Sequence, residues 1–331
     1  MAAIALRSPQ YKTALADTGT PLSAKITISI DGTIEYTLVK PTSLNQNMLW
    51  EIAELCRDFI NITFNGTYTA ETLAIISILT SHASTDGTGT ALTTDTFTDV
   101  GYDAYGTFME GANPEVPFSN RPRWLLNTDP ESLDVYYIYV PNNTAGVLPY
   151  IAVNASMGYV GYGASQTSIS ASSNYGQYLV NIVRVDCTKY GDGHKITFVN
   201  KFGALQDIWF FLKSVNTTNK KQEQFQRNII TSTGSYNVNT HTKQDYNTVA
   251  NTSISLSSGY YPEWANQWFE QLLLSEQVWL TRTDPFDSSA DEVVPVNVKK
   301  SNMVQKTSLN DKLIDYTFEF DMSFDYINNI R

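Results

Sequence analysis

Short runs in which apolar and polar residues alternate, separated by turn-forming residues, recur along this chain of 331 residues. The clearest is "AKITISIDGTIEYTLVKP", where alternating runs lie on both sides of Asp31-Gly32. Alternation with a period of two is typical of half-buried strands, and Asp-Gly between two such runs predicts a hairpin. Further strand-like runs lie at 73–83, 132–141, 177–189, 194–200, 204–214, 225–232, 234–258, 277–282, 293–301 and 312–324. The pattern predicts an all-β, mainly antiparallel fold.

The run "SLNQNMLWEIAELCRDFI", residues 43–60, instead has apolar residues at helical spacing. Ser43 and Gln46 have the spacing of a capping box, so we expect an amphipathic helix to begin there. Trp50 falls among charged residues on the polar side of this helix. Because exposed tryptophans are frequent anchors at protein interfaces, we predict that Trp50 lies at a subunit contact or under a long loop.

Residues 262–280, "PEWANQWFEQLLLSEQVWL", contain bulky apolar side chains that recur every four residues. This period predicts a helix over 262–274 with an unusually wide apolar stripe, followed by a strand. We expect Phe269, Leu272 and Leu273 to pack on a sheet formed by "VVPVNV" and "LIDYTFEF". The bulk on the inward face of that sheet is expected from Leu313, Tyr316, Phe318 and Phe320.

One edge of the same apolar stripe is a candidate interface. Trp264 lies there in the first helical turn, directly after the approach "SGYYP". We predict that Trp264 contacts the other domain or a neighbouring subunit, and that Tyr260 and Tyr261 contribute to the same contact. Residues on the polar half of the helix, such as Asn266 and Gln271, are expected to face solvent.

Each half of the chain contains many strands and one helix, which predicts two β-sandwich or barrel-like domains with one helix packed on a sheet in each. The N-terminal domain, 1–213, includes two stretches expected to be long loops: 84–130, rich in Gly, Thr and Asp, and 154–177, rich in Gly, Ser and Tyr. The polar run "SVNTTNKKQEQ" is interpreted as a linker to the C-terminal domain, 214–331. Within the first domain, the runs 177–189 and 194–200 are expected to pair across "YGDG".

Composition limits the classes of partner. The chain has 33 acidic and 22 basic residues, which gives a formal charge of -11. Such a charge repels phosphate, so sequence-specific nucleic-acid binding is not expected, whereas an acidic wall would let DNA slide past without adhering. No apolar run is long enough for a membrane span, and the N-terminus "MAAIALRSPQ" does not resemble a signal peptide.

The usual catalytic and cofactor-binding motifs do not occur, so the chain is predicted to be non-enzymatic and to need no cofactor or metal. Three weaker patterns could indicate a catalytic or metal site, but each has a structural explanation. Asp103 and Glu110, in the aromatic segment "GYDAYGTFMEG", could form a carboxylate pair of the glycosidase type, but a structural loop is favoured. The acidic group Asp284, Asp287, Asp291 and Glu292 lacks EF-hand spacing and is interpreted as a solvated loop. The three histidines, His82, His194 and His241, are far apart in sequence.

Several longer stretches resemble a family of virion proteins from tailed bacteriophages, including crAss-like phages and phages of marine Bacteroidetes. They are "NKFGALQDIWFFLKS", "SGYYPEW", "LLLSEQVWL" and the ending "VQKTSLNDKLIDYTFEFDMSFDYINNIR", with shorter similarity at "RSPQY" and "GYDAYGTFMEG". The resemblance implies a tail component, of the tail hub or tail tip type, with β-sandwich or tube-like β domains. It implies no catalytic residues.

Two functions are consistent with these observations. In the first, the chain is a non-enzymatic structural subunit, made in the host bacterial cytoplasm, that forms a ring in the virion tail and holds other tail or portal-proximal proteins. One face of that ring is expected to be acidic, for passage of DNA. In the second, it is a receptor- or glycan-binding module, suggested by 20 tyrosines and by the Gly/Ser/Tyr-rich stretch 155–176.

Overall fold

The structure is a computed structural model that describes most of the chain. The described residues are 2–15, 23–41, 47–66, 75–85, 91–104, 106, 111–114, 135–141, 151–152, 159–160, 168–173, 176–185, 193–203, 205–283, 291–299, 302–305, 307 and 312–324.

Strands dominate the described residues, and most of them pair antiparallel. In chain order they are β1 (Ala2–Ala5), β2 (Tyr11–Leu15), β3 (Ser23–Ile30), β4 (Thr33–Pro41), β5 (Asn47–Glu51), β6 (Ile75–Thr85), β7 (Ala91–Tyr102), β8 (Val135–Pro141), β9 (Ile151–Ala152), β10 (Tyr159–Val160), β11 (Ser168–Ser173), β12 (Gly176–Val185), β13 (His194–Val199), β14 (Leu205–Phe210), β15 (Ser214–Gln226), β16 (Lys243–Ser257), β17 (Tyr261–Pro262), β18 (Val278–Thr283), β19 (Asp291–Val298), β20 (Leu313–Ile314) and β21 (Thr317–Met322). The helices are α1 (Ala53–Arg57) and α2 (Asn266–Leu274), the second preceded by a 3-10 turn at Glu263–Ala265. The predicted all-β, mainly antiparallel fold is confirmed, with parallel pairing at β1/β7 and β8/β12.

A five-stranded sheet in the order β1-β7-β6-β3-β4 forms the N-terminal part of the structure. The predicted hairpin is confirmed: β3 and β4 pair antiparallel on either side of Asp31 and Gly32. These two residues have φ of 49° and 87°, the left-handed values that a type I′ turn requires and that Gly adopts at little cost. Alternate residues of β3 are buried, as the period-two pattern requires.

A seven-stranded sheet in the order β14-β13-β18-β19-β21-β16-β15 carries the largest hydrophobic core. Helix α2 lies on it, and the predicted end at Leu274 is confirmed. The Phe269 ring, fully buried, stacks 5.9 Å from the ring of Phe318 and lies 5.2 Å from that of Tyr316. Leu272 is buried and Leu273 half-buried against the same core, so the predicted packing is confirmed.

Two details of this core differ from expectation. Leu313 is 41% exposed, because β20 pairs with β17 outside the main sheet and its buried side chain is that of Ile314. Asn266 and Gln271, expected on a solvated face, are buried. Each has a hydrogen bond to compensate: the Tyr316 hydroxyl donates to Asn266 Oδ1, and the Lys201 N–H donates to Gln271 Oε1.

The helix predicted over 43–60 is wrong for most of the run 47–60 that the structure describes. Residues Asn47–Glu51 form strand β5, which pairs antiparallel with β2, and within 47–60 only the five residues of α1 are helical. Buried Met48 and Trp50 flank exposed Leu49, so the same residues also satisfy a period of two once β2 provides a partner strand. The proposed capping residues lie outside the described ranges.

The predicted long loops also contain strands. Strand β7, twelve residues long, lies within 84–130, and β10 and β11 lie within 154–177. The run 177–189 contains β12, which pairs with β8 and β11 and not with β13, so the expected hairpin across "YGDG" is wrong. These segments are rich in Thr and Ser. Whether such residues form a strand depends on the neighbouring strands with which they can pair, so their sequence alone did not predict strands.

The predicted linker is wrong as well, because residues 214–224 belong to the 13-residue strand β15. The seven-stranded sheet contains β13 and β14, which precede residue 213, together with five strands that follow it. The predicted division between 213 and 214 therefore falls inside one continuous sheet.

Candidate functional site

The two longest strands of the seven-stranded sheet extend beyond the other five. Strand β15 pairs with β16 along its whole length, from Ser214 opposite Leu256 to Gln226 opposite Lys243. By contrast, β21 pairs with β16 only at Ser253–Ser257. Among the described residues, the strand segments of 218–252 are thus paired only with each other, and we call this segment the arm. Its β15 part, 218–226, is about 30 Å long at roughly 3.3 Å per residue.

Most of the arm is exposed to solvent, and its residues 248–252, at the base of β16, are half-buried. All 13 residues of β15 are exposed, and so are the first five of β16. A polar strand with no buried face lacks the alternation that identifies strands in a sequence, which explains why this segment was predicted to be a linker. The one available signal was indirect: two polar runs of similar length flank turn residues around Gly234.

A few side-chain contacts hold the arm together across its strands. The rings of Phe225 and Tyr246 meet edge to face at 5.8 Å, and Gln224 Nε2 donates to Asp245 Oδ1 at 2.7 Å. A hydrogen bond to Glu223 raises the pKa of Tyr246, so this pair is kept as a hydroxyl donor and a carboxylate acceptor. Cross-strand pairs of these kinds each contribute about 0.2–1 kcal/mol.

A bulge changes the direction of the arm near its middle. The pairing shifts between Lys221 and Glu223, and the extra residue is on β16, where Asn247 has a φ of 49°. Bulges of this kind bend a strand and increase its twist, and asparagine tolerates the left-handed conformation better than most residues.

The tip of the arm, residues 227–242, combines ordered turns with exposed apolar side chains. Asn228 and Asn237 each accept a hydrogen bond from the N–H two residues later, which is the Asx-turn pattern. Three apolar side chains nevertheless point into solvent: Ile230 and Tyr236 are each 60% exposed, and Val238 is 80% exposed. Ordered apolar groups of this kind, held in solvent by turns, are typical of contact surfaces.

The arm also differs in charge from the rest of the chain. It contains four basic residues and two acidic ones, a formal charge of +2. They are Lys220, Lys221, Arg227, Lys243, Glu223 and Asp245. Because the whole chain carries -11, the remainder carries -13. The arm is thus a weakly basic projection on a strongly acidic protein.

Two of the four predicted interface residues are buried within the chain. Trp50 is 1% exposed, and Lys40 Nζ lies over its ring at 4.5 Å. The interface prediction assumed that Trp50 lies on the polar face of a helix. The residue instead lies on strand β5, where alternate side chains point inward. Tyr261 is fully buried, and its hydroxyl donates to the carbonyl of Trp209. The prediction that Trp50 and Tyr261 form subunit contacts is therefore wrong, because both side chains are covered within the chain itself.

The other two stay candidates. Tyr260 is 67% exposed, because it lies beside Gly259 in the turn between β16 and β17. Trp264 is half-buried, and its ring meets that of Trp268 edge to face at 5.0 Å. Part of the Trp264 side chain is therefore available for a further contact.

Of the two carboxylates considered for a catalytic pair, only Asp103 lies within the described residues. Asp103 is buried and bonded to Arg7, whose guanidinium also contacts Glu276 after α2. Burial of Arg7 opposes its charge, but the hydrogen bonds to Asp103 and Glu276 outweigh this and raise its pKa. Gly203 lies against the Asp103 backbone, where an added Cβ would approach within 3.2 Å. Asp103 is therefore a packed ion-pair residue, and its partner Arg7 connects the two large sheets through Glu276. Glu110 lies outside the described residues.

The remaining polar groups form no cluster with the composition of a metal site. Within the described ranges, no three His, Cys, Asp or Glu side chains lie together in a way that could hold an ion. Of the acidic loop, Asp284 and Asp287 are outside those ranges, and Glu292 pairs with Arg282. Burial lowers the pKa of His194 and raises that of the Cys56 thiol to about 12. No helix in the described part of the chain is long and apolar enough to cross a membrane.

Comparison with known proteins adds no assignment. No family model matches the sequence, and no curated protein or solved structure matches it either. The arm is thus the feature on which a functional argument can be based, because its exposure and pairing are observed directly.

Proposed function

We propose that this chain is a non-enzymatic structural subunit of a tailed-phage virion, and that it assembles with further copies of itself through the arm. The observation that carries the proposal is the exposure of a 13-residue strand and its hairpin tip. An isolated two-stranded hairpin is only marginally stable in water, and an open strand edge readily pairs with another chain. A partner that covers the arm would stabilise the hairpin and would also close its open strand edge.

The assignment to the tail depends on the sequence resemblance and on charge. The resemblance points to a tail hub or tail tip component, synthesised in the host cytoplasm and incorporated in the virion. A ring whose inner face is acidic would allow DNA to pass without adhering, and the charge of -13 outside the arm supports such a face. Other tail or portal-proximal proteins would then bind the ring.

A shortened arm tests the self-assembly directly. Thr218 and Thr252 lie directly opposite each other, so residues 219–251 can be replaced by Asn-Gly, which closes the two strands with a two-residue turn and removes both the tip and the exposed strand pair. We expect the wild-type chain to form a discrete oligomer by native mass spectrometry and the shortened chain to be a folded monomer. An unchanged oligomer would refute the role of the arm.

A matched pair of point variants controls for loss of apolar surface alone. Val238, in the tip, is 80% exposed, and Val304, outside the arm, is 78% exposed. Val238→Ser should weaken assembly, whereas Val304→Ser should leave it unchanged. A wild-type chain that stays monomeric at every concentration and binds glycans on an array would instead favour the receptor-binding alternative.

A further inference from the structure

We infer that the arm of one copy adds as an extra strand to the outer edge of β4 in the next copy, so that subunits join head to tail. This inference rests on the proposed function and names the surface that the arm contacts. Both participating edges are present in every chain, and each lies at the end of a sheet. The partner is therefore a second copy of this chain.

Every residue of β15 is exposed, so its side chains are accessible to another copy. Pairing of one β15 with the β15 of another copy is nevertheless disfavoured. Full-length antiparallel self-pairing about the centre of Ser214–Gln226 would place Lys220 opposite its own copy, next to Lys221. Like charges directly opposite each other destabilise a strand pair, and lysines on edge strands are a common means of preventing such contacts.

Strand β4 is the best-matched acceptor among the described edges. It has nine residues, Thr33–Pro41, which equals the length of the β15 part of the arm. It is longer than β1, β8, β11 and β14, which end the other edges of the three larger sheets. Strand β14 also lies beside β8. Apart from β15 itself, the outer edge of β4 therefore offers the longest row of backbone donors and acceptors among the described sheet edges.

Side chains on β4 complement those on the arm. Ile34 and Val39 are exposed by 65% and 62%, and Glu35 is exposed between Ile34 and Tyr36. The one cation of β4, Lys40, is turned toward the body: its Nζ donates to the Leu49 carbonyl and lies over Trp50. The edge thus presents apolar groups and a carboxylate to a basic strand.

An antiparallel, full-length alignment pairs apolar side chains of the two strands and places a basic residue near an acidic turn. It places Phe225 opposite Ile34, so that two exposed apolar side chains cover each other, and Gln226 opposite Thr33. It also brings Arg227 beyond the end of the strand to the turn that contains Asp31. Antiparallel pairs are slightly more stable per residue than parallel ones, which favours this direction. A heterologous contact of this kind gives a closed ring when the rotation between copies closes.

Engineered cysteines test the contact and its direction. A chain carrying Thr33→Cys and Gln226→Cys, with Cys187→Ser to remove one native thiol, should form a covalent ladder between copies on oxidation, read on a non-reducing gel. A chain with Thr33→Cys and Thr218→Cys, the pair that a parallel alignment would join, should not. A ladder from the second chain alone would overturn the antiparallel direction, and no ladder from either would overturn the β4 contact.

Charge substitutions give an independent measurement. Ile34→Lys should weaken assembly about tenfold, because it replaces the apolar partner of Phe225 with a charged side chain. Val304→Lys, an equally charged and similarly exposed control outside both edges, should leave assembly unchanged. If shortening the arm abolishes assembly while neither Ile34→Lys nor the cysteine pairs has any effect, the proposed function stands and only the β4 acceptor is wrong. If the shortened arm still assembles, the proposed function itself fails.

Discussion

The seven-stranded sheet contains two regions that share strands but follow different physical rules. Where α2 packs on the sheet, the ring of Phe269 is fully buried among aromatic neighbours. In the arm, Phe225 is 45% exposed and touches one ring, that of Tyr246. A phenylalanine ring therefore stabilises the fold in the first region, whereas in the second region a phenylalanine ring is accessible to a partner. Under the proposed function, folding depends on one end of the sheet and assembly on the other.

The largest expected effect comes from the buried region. Phe269→Ala removes a ring that lies within 6.3 Å of the rings of Phe210, Tyr261, Tyr316 and Phe318. We expect a loss of about 3–5 kcal/mol in the free energy of unfolding, from lost transfer energy and the cavity that remains. Thermal melting and urea unfolding measure this loss. A change below about 1 kcal/mol would show that the aromatic core is not what holds the sheet.

Trp264 and Leu272 sharpen the comparison, because both lie on the same helical segment. Leu272 is fully buried, so Leu272→Ala should cost about 2–5 kcal/mol. Trp264 is half-buried, and Trp264→Ala should destabilise the fold less while weakening assembly more. Melting temperature and native mass are measured on both variants. Equal losses of stability with intact oligomers would place the whole apolar stripe in the core.

The matched change in the arm should affect folding much less. Phe225→Ala removes the same ring as Phe269→Ala, but from an exposed strand, so we expect the free energy of unfolding to change by at most about 1 kcal/mol. Its oligomer should dissociate at higher protein concentration than that of the wild type. Sedimentation at several concentrations separates the two effects. A large drop in melting temperature would show that the arm belongs to the folding core.

The smallest expected effect concerns the exposed ion pair between Arg7 and Glu276, which joins the two large sheets. The hydrogen bond from Arg7 lowers the pKa of Glu276 below its ordinary value of 4.5. A lowered pKa in the folded state stabilises the protein above that ordinary value, and the contribution is lost as the pH falls through the lower folded value. Because Glu276 is mostly exposed, we expect less than about 1 kcal/mol. Melting of wild type and Glu276→Gln should differ at neutral pH and converge in acid.

The accuracy of the sequence predictions follows the amount of local information at each site. The Asp31-Gly32 hairpin and α2 were predicted correctly, because turn chemistry and apolar periodicity are properties of neighbouring residues. Residues 47–51 satisfied both a helical and a strand period, and the strand formed because β2 is available to pair with them. The interface prediction for Trp50 failed for that reason.

For the candidate site, the sequence determined composition and the tertiary structure determined position. The polar, weakly basic character of residues 218–252 and the acidic character of the rest are visible in the sequence alone. The tertiary structure decides that these polar residues form paired strands. It also decides that β21 pairs with β16 only from Ser253 to Ser257, which leaves the arm exposed. Both outcomes depend on contacts between strands that are far apart in the chain. Strand pairing is a non-local interaction whose energy depends on the partner strand, so no local pattern could predict it.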